Sequence, residues 1–152
     1  MGADLYMVKI FSENHDKYTG AFDRAVEDRK TARTDEERTN AQERVSSAYD
    51  RMFSVGYFRD SYNSSSLFWK LGLSWWEDLP RFTEKSEESL PLLTPQGAKA
   101  LQKVIRSKKD VLHTNLSSES KDIMEYFLHK YNEFDEFLTK AIKENVDIEC
   151  CT

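Results

Sequence analysis

The sequence predicts an all-α fold: about five helices around a central short Trp-rich helix, with a short N-terminal extended segment. Three observations carry this reading. Apolar residues recur at three-to-four spacing over much of the chain, the mark of helices that each bury one stripe. All three tryptophans fall within residues 69–76, in a run too apolar to be left at a surface. Only one segment, residues 5–11, is rich in strand-favouring types and too short for a helix core.

Leu5-Tyr6-Met7-Val8-Lys9-Ile10-Phe11 therefore reads as a strand or extended arm within 1–11. With no comparable second segment, its edge has to lie against helices, pair with a short loop or meet another protomer, which hints at a homodimer. Ser12 or Asn14 is placed to cap a helix whose narrow stripe is Tyr18, Phe22, Ala25, Val26 and Arg29, weakened locally by Gly20. Thr34 with Glu37 three residues on has the form of a capping box, opening a second helix with the stripe Ala41, Val45, Ala48, Tyr49, Met52 and Phe53. Gly56 stands where the chain leaves that helix in a left-handed conformation. The two helices form an antiparallel hairpin.

Ser64, Ser65 or Ser66 can cap the short helix over 67–76, which is apolar on nearly every side except Lys70 and Ser74 and so belongs at the centre. Residues 77–94 turn polar and carry Pro80 and Pro91, predicting a surface loop tacked down by Leu90, Leu92 and Leu93. Thr94-Pro95 restarts a helix that runs to about Leu112. The last helix opens near Ser117 or Ser118 and has the clearest period: Ile123, Phe127, Tyr131, Phe134, Leu138, Ala141, Ile142.

With 152 residues, 39% of them hydrophobic and 32% charged, the chain reads as one domain over 1–152. A net charge of -5 argues against nucleic acid or an anionic membrane as partner, since both repel it at long range. Apolar runs are too short for a membrane span, and Met1-Gly2-Ala3-Asp4-Leu5 lacks the basic start and apolar stretch of a secretion signal. Tyr6 stands where a myristoylation signal after Gly2 wants Ser or Thr. A cytoplasmic location is the expectation.

The only cysteines are the neighbours Cys150 and Cys151, where a bond would be strained and would close no loop. They are expected on a frayed tail over 148–152, against lipidation or redox sensing as the functional rival. His15, His113 and His129 show no ligand spacing, so no metal and no cofactor is assigned.

Chemistry concentrates just ahead of the tryptophans. Arg59, Asp60, Tyr62 and Asn63 supply a guanidinium fork, a carboxylate, a phenol and an amide able to orient a small polar ligand against the Trp75-Trp76 surface. The same groups suit a closed network that only holds the fold together. Glu77 and Asp78 invite an acid/base proposal but are more simply solvated. Lys99, Lys103 and Arg106, with Lys108 and Lys109 beyond, line a basic stripe with no interleaved aromatics, which fits a solvated face better than a phosphate track. The row Phe127, Tyr131 and Phe134, with Tyr126 and Phe137 beside it, reads as core or subunit interface before it reads as a stacking platform.

Three patterns, Met1-Gly2-Ala3-Asp4-Leu5-Tyr6, Tyr57-Phe58-Arg59-Asp60-Ser61-Tyr62-Asn63 and Gly72-Leu73-Ser74-Trp75-Trp76, give the first half of the chain a further feature. In them it resembles a group of small uncharacterised bacterial and phage-associated proteins with no assigned activity. The resemblance implies that Asp4, Tyr6 and the central block meet in space; it carries over no catalytic residue and does not reach residues 94–152.

The function expected is non-enzymatic binding of a protein partner or a small polar ligand at a surface of Asp4, Tyr6, Arg59, Asp60, Tyr62, Asn63 and Trp76. The alternatives are an enzyme acting on a small molecule with Asp60 or Asp4 as base, and a purely structural homodimer. A hollow cleft at Asp60 favours the enzyme, and a flat patch or filled core favours the binder.

Overall fold

The fold is mixed rather than all-α. A computed structural model of the protein describes residues 2–85 and 90–152, so residues 86–89 of the expected surface loop lie outside the described residues. Among the described residues there are four strands, β1 (Gly2–Met7), β2 (Tyr57–Ser61), β3 (Leu92–Leu93) and β4 (Ile148–Cys151), forming one antiparallel sheet in the order β2-β1-β4-β3. The helices are α1 (Ile10–Thr31), α2 (Asp35–Met52), α3 (Leu67–Lys70), α4 (Pro95–Ser107), α5 (Lys109–Leu116) and α6 (Lys121–Glu144), with a 3-10 turn at Leu79–Arg81. The chain divides into two compact units, Val8–Tyr57 on the one hand and Met1–Met7 with Phe58–Thr152 on the other.

The expected arm is β1, and it does not lie isolated: it pairs with β4 in the register Asp4 to Cys151, Leu5 to Cys150, Tyr6 to Glu149 and Met7 to Ile148. Side chains alternate across a strand, so Ala3, Leu5 and Met7 are buried while Asp4 and Tyr6 take the other face. β4 repeats the alternation, with Ile148 and Cys150 buried and Glu149 and Cys151 turned outward. The expected frayed tail is thus an interior strand, held on its other side by β3, because a four-residue segment with two apolar inward positions completes the sheet's core face. The polar stretch before α4 is pinned to the same sheet through a bridge between Glu84 and Leu92.

The predicted helix over 67–76 stops after one turn. Ser66 accepts from the Trp69 N–H at 3.0 Å and opens α3. Gly72, at φ +73°, then closes it: the Leu73 N–H reaches the Phe68 carbonyl and the Gly72 N–H reaches that of Trp69, a Schellman end. The reversal folds the indole of Trp75 back onto the Phe68 ring, with centroids 3.4 Å apart and planes at 3°. Phe134 of α6 meets both edge-on and stacks on Phe58 of β2 at 4.6 Å. These four rings form the centre of this unit, each worth roughly 1.5–3 kcal/mol when fully buried.

Thr94 caps α4 by accepting from the Gly97 N–H, with Pro95 in the first turn as the sequence predicts. The helix breaks at Lys108, so the stretch to residue 116 is two helices rather than one. α6 opens at Ser120, a little later than expected, and buries Phe127, Tyr131, Phe134, Phe137, Leu138 and Ala141. Phe127, Tyr131, Phe134 and Phe137 are core of this chain, whereas Tyr126 beside them and Ile123, at the start of the apolar period, are exposed.

The unit Val8–Tyr57 is the antiparallel hairpin. Thr34 and Glu37 form the capping box, and Ala25 of α1 is buried, as are Ala41, Val45, Ala48 and Met52 of α2. α1 begins earlier than Ser12 or Asn14; Asn14 instead donates to the Arg51 and Met52 carbonyls at 2.7 and 3.2 Å and ties off the end of α2. Phe11, His15, Tyr49, Phe53 and Tyr57 cluster at the hairpin base. Gly56 has φ +71°, and a Cβ there would meet the Phe11 nitrogen at 2.9 Å.

Candidate functional site

The seven candidate residues separate into two kinds. Asp60 faces the core and is 2% exposed. Its Oδ1 accepts from the Leu67 N–H at 2.9 Å and the Ser61 N–H at 3.0 Å; its Oδ2 accepts from the Phe68 N–H at 3.1 Å and the Trp75 indole at 2.8 Å. Two of those donors are opening N–H groups of α3, which a helix leaves without internal partners. Hydrogen bonds to a charged acceptor contribute about 1.5–3 kcal/mol each, so this carboxylate organises the centre of its unit.

Asn63 is also occupied. Its Oδ1 accepts from the Ser65 N–H at 3.0 Å, the Ser61 hydroxyl at 3.3 Å and, by a short contact, the Ser65 hydroxyl, shaping the turn between β2 and α3. Asp78 acts likewise, accepting from the Ser74 N–H at 2.7 Å and pairing with Arg81. The acid/base pair considered at Glu77 and Asp78 is therefore one exposed carboxylate and one turn-closing carboxylate. In the basic stripe, Arg106 forks onto Asp135 with bonds of 2.8 and 3.0 Å.

The other candidates gather outside the core. Asp4 and Tyr6 share the outward side of β1. The Arg59 guanidinium sits 3.7 Å from the Asp4 carboxylate and its side chain is 58% exposed. The rings of Tyr62 and Trp76 lie 5.0 Å apart, and Trp76 is 61% exposed. Burial pushes the Tyr62 phenol above its ordinary value, Cys151 and Asp4 push it further, and Arg59 partly opposes them. A raised phenol remains protonated at neutral pH and presents a hydrogen-bond donor, not a base.

Cys151 is a member of this neighbourhood that the sequence reading missed, because a strand at residues 148–151 is needed to set it opposite Asp4. Cys150, on the opposite side of the strand, is 1% exposed, and burial pushes its thiol up to about 12. The tryptophans themselves divide: Trp75 is core, while Trp69 at 60% exposed and Trp76 belong to the surface.

Among the described residues, no helix is long and apolar enough to cross a membrane, and no group of three or more His, Cys, Asp or Glu is placed to hold a metal ion. In comparisons with known proteins, no family model matches the chain, and neither a curated protein nor a solved structure matches it. The resemblance in residues 1–6, 57–63 and 72–76 stands on those three patterns alone.

Proposed function

We propose that this is a non-enzymatic binding protein that engages a protein partner through Trp76, Tyr62 and Arg59, with Asp4 and Tyr6 alongside. The reading is carried by one observation: a largely exposed tryptophan stacked on a tyrosine, beside an exposed arginine ion-paired to an aspartate. Trp, Tyr and Arg are the residue types that dominate the energetics of protein interfaces. The closed shell around Asp60 weighs against the enzyme reading, since a base must reach substrate and both oxygens of this one are held by donors inside the core. The burial of Phe127, Tyr131, Phe134 and Phe137 within this chain weighs against the homodimer alternative with that row as the subunit interface. The net charge of -5 favours protein over nucleic acid, and the cytoplasm remains the proposed location.

The test is paired affinity capture from the producing cell with the wild type, Trp76→Ala and Arg59→Lys, each verified to fold as the wild type does. A partner held by the wild type should be released at least about tenfold by either variant, because Ala removes the ring and Lys cannot reproduce the fork. Equal retention by all three, or no partner that depends on these side chains, overturns the reading.

A further inference from the structure

We infer that a groove beside the β2–α3 turn binds a small organic cation, a primary ammonium or guanidinium carried on an apolar stem. The groove shares no residue with the Tyr62–Trp76 surface, and the inference does not rest on that reading. Its volume is about 650 Å³, within the range of small-molecule sites. Asp122, Ile123, Tyr126 and Phe127 form one wall, one face of α6 at three-to-four spacing. Ser61, Ser64 and Ser65 form the other, and the Lys70–Glu119 ion pair, 2.9 Å long, completes the lining.

Three features select the ligand's charge. First, the lining holds two carboxylates and one ammonium, and Lys70 is already matched by Glu119. That leaves Asp122, exposed and in no ion pair among the described residues, as the carboxylate without a cationic side-chain partner, offset only by the partial positive end of α6. Second, the Ser61 and Ser65 hydroxyls both direct their protons to Asn63 Oδ1. A hydroxyl used as a donor keeps its oxygen lone pairs, so these two serines, 3.5 Å apart, offer acceptors that suit N–H groups better than a carboxylate or phosphate. Third, the aromatic faces of Tyr126 and Phe127 attract cations. Both rings already have one nearby: Lys130, which does not line the groove, lies 5.6 Å from the Tyr126 centroid, and Lys70 lies 5.7 Å from that of Phe127. The exposed Ile123 and the ring of Tyr126 supply the apolar surface for the stem.

Asn63, expected in the sequence as a ligand contact, is in this arrangement a positioning residue that sets the polarity of the serine wall. The chemistry is recognition only, with no bond made or broken.

The experiment is an amide NMR titration of the full chain with phenethylamine, and with its neutral and anionic counterparts phenethyl alcohol and 3-phenylpropionate. The amine should shift the amides of Ser64, Ser65, Ile123, Tyr126 and Phe127 and bind about tenfold more tightly than the alcohol, with the acid weakest. Asp122→Asn should remove that preference, and Tyr126→Leu should weaken the amine more than the alcohol; both side chains are exposed, so the fold is retained. Equal binding of amine and alcohol, tighter binding of the acid, an unchanged preference in Asp122→Asn, or no shifts at these amides would each overturn the inference. Since Trp76 and Arg59 take no part, the result is separable from the partner-capture test.

Discussion

The indole N–H of Trp75 donates to Oδ2 of Asp60 at 2.8 Å, joining two buried groups fifteen residues apart in the chain. The same carboxylate holds the first two N–H groups of α3, so a single side chain fixes the end of β2, the start of α3 and the turn that follows it. A buried charge of this kind is tolerable only because every lone-pair direction meets a donor.

Asp60→Asn preserves shape but turns an NH2 toward donors, leaving at least one buried N–H without an acceptor. The expected loss is about 3 kcal/mol or more of unfolding free energy, read from urea denaturation followed by tryptophan fluorescence. A loss under about 1 kcal/mol would show that the shell is dispensable.

Gly72→Ala tests the end of α3. A Cβ at this site would meet only a methyl of Val111 at 3.5 Å, an ordinary contact, so the penalty is backbone strain alone, about 1–2 kcal/mol in the same denaturation experiment. Gly56→Ala should cost more, because its left-handed backbone comes with the close approach to Phe11.

The two thiols should behave as unlike groups. Cys151 is exposed and should react with a thiol reagent within the mixing time, whereas Cys150 should react only as the protein opens. The Cys150 thiol is raised from 9.0 to about 12 on folding, so between those values the native state holds a proton that the unfolded state has released. Its contribution is full below about pH 9 and is lost as pH rises through the folded value, by at most about 1.4 kcal/mol per pH unit. The wild type should therefore lose stability more steeply than Cys150→Ala between about pH 9 and 11; parallel curves would contradict the assignment.

Much of the helical part of this architecture is legible in the sequence because it is written locally. The Thr34 and Glu37 box, the Thr94-Pro95 start, the left-handed Gly56 and the period of α6 each need only a few neighbouring residues. The sheet was not legible, since its strands are short and two were disguised. β2 alternates Phe58 and Asp60 inward with Arg59 outward, and a buried carboxylate reads as polar until its donors are known. β4 has only Ile148 and Cys150 as inward residues and gains its meaning from β1, far away in the chain. Gly72, which ends α3 early at a left-handed backbone position, is a stop signal that the reading of 67–76 as one helix does not use. At the candidate site, residue type singles out Arg59, Tyr62 and Trp76 and the resemblance alone adds Asp4, whereas the inward turn of Asp60 follows from geometry that spacing does not contain.

The pairing of Asp4 with Cys151 also sets the order of assembly. Nearly the whole sequence must be looped before that ladder can zip, whereas α6 and the α1–α2 hairpin need only nearby residues. We expect helices to collapse early and the central strands to dock late, so pulse-labelled deuterium exchange should find the amides of Tyr6 and Glu149, an opposed pair of that ladder, protected after those of α6. Until then Leu5 and Met7 face water on an unmatched edge, and the chain is at its stickiest in that interval.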